Sequence, residues 1–410
     1  MTKRLFLAFI LFFNFNIFTQ ADWTIFAYIE ASEKLQHEGV FNITQMALGG
    51  VPENIHVIVQ LHTKGNKSWI YKVEKNTIIV LDYVEIGPNA KDNIISTVEK
   101  IYQEFPAKHF CLTLWDHGFG ILVPEYDEDK NEWNVEPDGD ECGACEIKRK
   151  KTVRHKAMFV DAFHDTVMDN DDMVELARVI SQEILHKKIE VLAMDCCMGA
   201  MLEHGYQLKD YAVYMVGSQD CELADGYDYQ NLVKHFHNGY VSPLQLACNI
   251  VHDYGEYNRI NAVVGTYTMS AMDLSYMDDI TSNLNNLSRN LLKLLDEDKK
   301  LFKEIIYNAR RGCPKFCMAS YYADLYLFYE NLYQELEACE NLPMVQTIKN
   351  SIIAGKELIK KAVVANIAGV VNKGVAGISI YFPFFHIDRS YPETIFAKES
   401  LWLGFLQGIL

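Results

Sequence analysis

Phe110-Cys111-Leu112-Thr113-Leu114-Trp115 and Ile189-Glu190-Val191-Leu192-Ala193-Met194 are two apolar runs, each read as a buried β-strand that stops at reactive side chains. Asp116-His117-Gly118 follows the first run, and Asp195-Cys196-Cys197 follows the second. Short apolar runs of this kind suit strands of a parallel sheet covered on both faces. In such sheets, sites form outside the carboxyl ends of the strands. If the two strands are neighbours, His117 and Cys197 share one rim, the minimum equipment for a thiol nucleophile and its base.

Around these strands the pattern alternates. Thr24 to Ile29 reads as a strand, a polar helix reaches Met46, and His56 to Leu61 reads as a second strand. Ser68 to Val73 and Thr77 to Val84 suit a hairpin on the sheet edge, and Asp92 to Phe105 has helical periodicity. Alternation of this kind implies an α/β fold with a mainly parallel sheet. A helix from Met173 to Leu185 feeds the cysteine strand, and Tyr211 to Val216 and Ala262 to Ser270 read as further strands. The C-terminal half is mostly helical over Pro243–Tyr257, Leu274–Leu294, Tyr321–Cys339 and Val345–Ala365, with a last core strand expected at 377–383. The expected division is therefore a signal segment (1–21), a core (22–270) with an irregular loop at about 121–158, and a C-terminal helical region (271–410).

Lys3 and Arg4 precede the apolar run Leu5–Phe13, and Thr19-Gln20-Ala21 ends the stretch; this is the pattern of a secretory signal cut after Ala21. No later run is long and apolar enough to span a bilayer, so no membrane span is expected once the signal is removed. The chain has 410 residues and a formal charge of −17, which leaves no basic surface for nucleic acid. Ten cysteines in an exported chain permit disulfides without prescribing them. Cys142-Gly143-Ala144-Cys145 has zinc-like spacing but no second pair of ligands, and Asn42, Asn66 and Asn286 head glycosylation sequons.

The residues after the two strands set the chemistry. Met198 to Glu203 reads as a helix start, and a thiol there beside a histidine has a lowered pKa. Gly118 lets the backbone approach a substrate carbonyl, and the N–H groups of Gly118 and Cys197 suit an oxyanion hole.

Trp115-Asp116-His117-Gly118-Phe119-Gly120 resembles the Trp-Asp-His-Gly-x-Gly motif of clostripain-like cysteine peptidases, members of the caspase–gingipain–legumain group. Asp195-Cys196-Cys197-Met198-Gly199-Ala200-Met201 is similar to that family's Asp-Ala-Cys-Leu-Met-Gly-Met. The resemblance continues through Val216-Gly217-Ser218-Gln219, Asp225-Gly226-Tyr227-Asp228-Tyr229, Tyr322-Ala323-Asp324-Leu325-Tyr326 and Gly377 to Pro383, and ends near Trp402. It implies a caspase-like α/β fold with a C-terminal helical elaboration. It also implies a secreted cysteine endopeptidase acting through a Cys–His dyad and an acyl-enzyme.

By the same resemblance Cys197 is the nucleophile, Cys196 fills an alanine position, and His117 does the acid–base work. Asp195 and Asp225 are expected to line a pocket for Arg or Lys just before the scissile bond. On the residues alone Asp195 also reads as a helix cap and Asp225-Gly226 as a turn. Lys148-Arg149-Lys150-Lys151, in the loop between His117 and Cys197, is the expected site of self-processing.

The chemistry requires no cofactor. Some relatives need calcium, and Asp127-Glu128-Asp129 with Glu136 to Asp140 would offer it oxygen ligands, with no ligand set assigned. Two other readings stay open on these residues: a non-catalytic binding or surface protein on the same fold, and a peptidase of different specificity.

Overall fold

In a computed structural model, the protein is described over residues 20–31, 35–87, 89–122, 125–127, 132–134, 159–161, 166–261, 265–316, 321–339 and 342–410. The signal segment, the basic cluster at 148–151 and the Cys142–Cys145 pair lie outside these residues. The first strand, β1, spans Ala21–Glu30, so Ala21 already belongs to the sheet.

The main sheet is built from β1, β2 (Ile55–His62), β3 (Lys67–Glu74), β4 (Thr77–Glu85), β5 (Ala107–Trp115), β6 (Ile189–Asp195), β7 (Ala212–Gly217), β8 (Thr268–Asp273) and a late strand, Val363–Ala368. Its nine strands run in the order Val363–Ala368, β8, β7, β6, β5, β1, β2, β3, β4. The central strands β7, β6, β5, β1 and β2 are parallel, and antiparallel strands complete both edges. The mainly parallel sheet and the edge hairpin expected from the sequence are both present. One short hairpin, Glu125–Asp127 with Glu132–Asn134, lies within the interval expected to be irregular, and a second, Phe159–Asp161 with Thr166–Met168, follows that interval.

Side chains alternate faces along a strand, and the two neighbouring site strands divide accordingly. Leu112, Leu114, Leu192 and Met194 enter one core; Cys111, Trp115, Val191 and Ala193 enter the other. Continuing this alternation past the strand end sends Cys196 into the first core, where it is 2% exposed, and leaves Asp195 on the opposite face. Helices cover both layers. Helix α1 (Gln36–Gly49) supplies Ile43 and Met46 to one core, and α2 (Ala90–Glu104), begun by Asn89 accepting from the Lys91 N–H, supplies Ile94, Val98 and Ile101 to the other.

The helix expected at 173–185 is α-helical over Asn170–Arg178 and continues as a π turn to Ile184. Its start is fixed by a capping box between Asp169 and Asp172. The C-terminal helices Met277–Glu297, Lys299–Arg311, Leu325–Glu335 and Pro343–Ala362 pack their apolar faces onto the first core, so this half elaborates one core rather than forming a second unit.

Two C-terminal strands differ from expectation. Val363–Ala368, read as the tail of a helix, forms the antiparallel edge beside β8. The segment expected as the last strand of the main sheet instead pairs, over Ser379–Tyr381, with Tyr322–Asp324 in a separate two-stranded sheet. It touches the site region through Met201, which bridges Ser379.

Candidate active site

Because β5, β6 and β7 are parallel neighbours, the segments leaving their carboxyl ends converge on one rim. His117 follows β5, Cys197 follows β6, and the 218–226 loop follows β7. Leu35, Trp115, Asp116, His117, Asp195, Cys196, Cys197, Cys221, Glu222, Leu223, Ala224 and Gly226 line one cleft of about 100 Å³. The two sequence-predicted partners, His117 and Cys197, are thus brought to the same cleft.

The chain does not enter a helix at Cys197, as the sequence suggested. Met198 takes a left-handed conformation (φ 57°), and the helix waits until Leu202–Leu208. The lowered pKa of the Cys197 thiol therefore has another source. Its largest cause is a hydrogen bond from the Cys221 thiol; burial works against it, and the backbone N–H groups of Glu222 and Gly118 favour the thiolate. The Glu222 N–H lies 3.2 Å from Cys197 Sγ. Cys196 is the opposite case: burial, then neighbouring negative charge, pushes its thiol well above the ordinary range.

Gly118 packs directly on the backbone of Cys197. A Cβ at this position would lie 2.0 Å from the Cys197 carbonyl oxygen and 3.0 Å from its N and C atoms. Since no flexible side chain is available to yield, Gly118→Ala is expected to destabilise the fold by about 1–3 kcal/mol. A urea titration followed by tryptophan fluorescence reads this; an unchanged midpoint would contradict the contact. The neighbouring Asp116 carboxylate accepts from the His117 N–H at 2.5 Å, and its own N–H reaches the Asp195 carbonyl. Asp116 thereby shapes the turn that presents His117.

The floor of the cleft is acidic. Asp195 is 3% exposed, and its Oδ2 accepts from the Tyr229 hydroxyl (2.6 Å) and the Tyr227 N–H (3.2 Å). Asp195 Oδ1 and both carboxylate oxygens of Glu222 are buried, and what meets them is the opposing carboxyl and the Cys196 N–H rather than a basic side chain. Burial raises Asp195 to about 6, with the hydrogen bond from Glu222 opposing. Burial, then the Asp195 charge, raises Glu222 well above its ordinary value. The two carboxyls face each other as a pair that must share a proton or receive a cation.

Asp225 does not line this cleft, although its neighbours Ala224 and Gly226 do. Its carboxylate accepts from Tyr257 at 2.8 Å. Its carbonyl takes a hydrogen bond from the Asn42 carboxamide, which also accepts from Trp115 Nε1. Asn42 is fully buried in this contact, so its sequon is closed to a glycan, whereas Asn66 and Asn286 are exposed. Sequence reasoning missed Cys221 and Glu222. The signal available was position: both follow the carboxyl end of the strand beside the cysteine strand.

The remaining motifs brace the loop that carries these two residues. Asp324 accepts from the Gln219 amide and the Ala376 N–H, while Gln219 accepts from the Gly377 N–H. Asn372 donates to the Asp220 carboxylate, and the Asp220 N–H reaches Ser218 and Thr268. On the histidine side, Tyr322 donates to the Phe119 carbonyl at 2.7 Å. The C-terminal elaboration thus orients the rim from beneath. The side chains proposed for calcium lie outside the described residues, and among the described residues no group of three His, Cys, Asp or Glu is placed to hold a metal ion. Among those residues no helix is long and apolar enough to cross a membrane.

The same overall fold recurs in solved structures. A secreted C11 cysteine protease from Bacteroides thetaiotaomicron, in complex with an irreversible peptide inhibitor, aligns with TM-score 0.62 at 16% identity, covering 94% of this chain and 99% of its own. An inactive zymogen C11 protease from Parabacteroides distasonis aligns with TM-score 0.59 at 16% identity, covering 95% and 99%. No curated protein matches the chain. The family model of the clostripain family, Peptidase_C11, matches residues 143–397, a span that contains Asp195, Cys197, Cys221 and Glu222 and begins after His117. That match covers more than half of the chain, and this protein belongs to the clostripain family of C11 cysteine peptidases.

Proposed function

We propose that this peptidase is an exported endopeptidase that cleaves after Arg or Lys, with Cys197 as nucleophile and His117 as its acid–base partner. The observation that supports the specificity is the pair of buried carboxyls, Asp195 and Glu222, lining the cleft beside Cys197 with no Lys or Arg among the lining residues. Unpaired buried carboxylates are costly unless a cation meets them. A guanidinium or ammonium at the end of a substrate side chain supplies both charge and N–H donors. In this reading Glu222 joins Asp195 in the pocket, while Asp225 contributes through Tyr257 and Asn42 to the turn that carries Gly226.

The steps follow from the groups present. The Cys197 thiolate attacks the carbonyl carbon after the basic residue, and the Gly118 and Cys197 amides steady the oxyanion. His117 protonates the leaving amine, then takes a proton from the water that hydrolyses the thioester. Export rests on the sequence of residues 1–21, in keeping with a structural neighbour described as secreted.

We further propose self-processing at Lys148-Arg149-Lys150-Lys151, which offers basic residues between His117 and Cys197; one structural neighbour is described as an inactive zymogen. Incubating the signal-free protein beside Cys197→Ala, with calcium and chelator arms and a reductant, tests both parts by intact mass and gel. Wild type is expected to split between residues 148 and 156 while the variant stays whole. If neither is cut and no Arg or Lys peptide is cleaved, the basic specificity and the self-processing both fail.

A further inference from the structure

Cys221 favours the Cys197 thiolate but makes and breaks no bond in the steps above, yet it lines the catalytic cleft and is partly exposed there. One backbone hydrogen bond joins its segment to that of Cys197: the Met198 N–H donates to the Asp220 carbonyl at 3.1 Å. Cys197 precedes that N–H and Cys221 follows that carbonyl, so the two Cα atoms flank the ends of a single hydrogen bond. A disulfide requires Cα atoms roughly 4.4–6.8 Å apart, and it is neighbouring segments joined in this way that can supply such a separation. The side chains are turned toward each other, since the Cys221 thiol donates to the Cys197 sulfur, and the Glu222 N–H approaches the same sulfur at 3.2 Å. Both cysteines are reduced in this structure.

Cys196 is adjacent in sequence but differently placed. Strand alternation sends it into the core below the sheet, where it is 2% exposed. The thiol positioned to meet an oxidised Cys197 is therefore the one from the neighbouring loop.

We propose that Cys221 is a resolving thiol, and that Cys197 and Cys221 form a reversible disulfide when the protein meets a peroxide. The Cys197 thiolate attacks one peroxide oxygen; the O–O bond breaks, hydroxide leaves, and Cys197 becomes a sulfenic acid. The Cys221 sulfur then attacks the Cys197 sulfur, forming the S–S bond while the sulfenic oxygen leaves as water with the Cys221 proton. The two electrons taken by the peroxide come one from each sulfur, and a dithiol reductant returns them by exchange. The bridge holds the nucleophile in an unreactive form and stops its advance to sulfinic and sulfonic acids, which are not readily reversed.

The test treats reduced, signal-free wild type, Cys221→Ser and Cys221→Ala with hydrogen peroxide, with and without dimedone, and reads intact mass and non-reducing peptide maps. Wild type is expected to lose two hydrogen masses, to yield one linked peptide joining residues 197 and 221, and to recover its iodoacetamide-reactive Cys197 on reduction. Both variants are expected to accumulate a dimedone adduct at Cys197 and, without dimedone, irreversible oxygen additions, recovering less than about half of that thiol after the same exposure. Oxygen additions in wild type equal to those in the variants would overturn the proposal. So would a link between Cys196 and Cys197 in place of the 197–221 peptide. These are mass readouts, so they stand or fall independently of whether Arg and Lys peptides are cleaved.

Discussion

Replacing Cys197 by alanine is expected to lower kcat/KM on an Arg-containing peptide by about 10⁴-fold or more, the scale of nucleophile loss in an acyl-transfer enzyme. Cys196→Ala is expected to stay within about tenfold of wild type. Neighbouring thiols give this pair of variants its force, because sequence alone offers two candidate nucleophiles one residue apart. Cys197 lies in the cleft with its pKa lowered by the Cys221 thiol and by the Glu222 and Gly118 amides. Cys196 is buried in the core, and its pKa is held up by that burial. A thiolate is the reacting species, so at neutral pH the two sulfurs differ in both access and ionisation.

Alkylation by iodoacetamide gives a second reading that needs no substrate. Fast labelling near neutral pH is expected to disappear in Cys197→Ala and to persist in Cys196→Ala. Loss of peptidase activity and of fast labelling in Cys196→Ala alone would assign the nucleophile to the wrong sulfur here. The Cys196 change should be felt in stability instead, by about 1 kcal/mol, as the removal of one buried atom from a packed core.

The legible part of this protein was its continuous apolar runs. Strands β5 and β6 are apolar on both faces, so their runs announced themselves, and the rule for parallel sheets placed His117 and Cys197 on one rim. Val363–Ala368 was not legible because helix Pro343–Ala362 runs into it directly, the Val363 N–H still bonding to the Ile359 carbonyl. An apolar β-branched tail reads equally as helix or strand until its edge partner is known. Ser379–Tyr381 misled in the other direction: its strand character was right, but its partner is Tyr322–Asp324 rather than the main sheet. Cys221 and Glu222 sit in a polar loop whose local sequence carries no pocket signal. Their place beside Cys197 comes from the order of strands, which spacing along the chain does not encode. Burial of Asn42 has the same origin, since it depends on α1 lying against Trp115.

The acidic pair should make cation binding depend on pH in a direction fixed by its pKa shifts. Burial raises Asp195 to about 6 and Glu222 well above its ordinary value. A carboxyl whose folded pKa exceeds its unfolded one stabilises the fold below the unfolded value, and that contribution is lost as pH rises through the folded value. The ligand-free protein should therefore lose stability as pH rises from about 4 through about 6, and Asp195→Asn should flatten this slope. A guanidinium or amidinium needs the ionised pair, so its binding should strengthen over the same range and expel the proton that the two carboxyls share. Thermal unfolding of wild type with benzamidine is expected to show a larger rise in Tm at pH 7.5 than at pH 5, and the rise should nearly vanish in Asp195→Asn and Glu222→Gln. On Arg peptides each variant should lose about 30-fold or more in kcat/KM, the cost of leaving a buried cation short of one partner. Substrates with a neutral residue before the scissile bond should lose far less. Calorimetry in buffers of different ionisation enthalpy should detect the proton released as benzamidine binds. Equal Tm rises at both pH values, or an Arg preference intact in Glu222→Gln, would remove Glu222 from the pocket and leave Asp195 to bind the basic side chain alone.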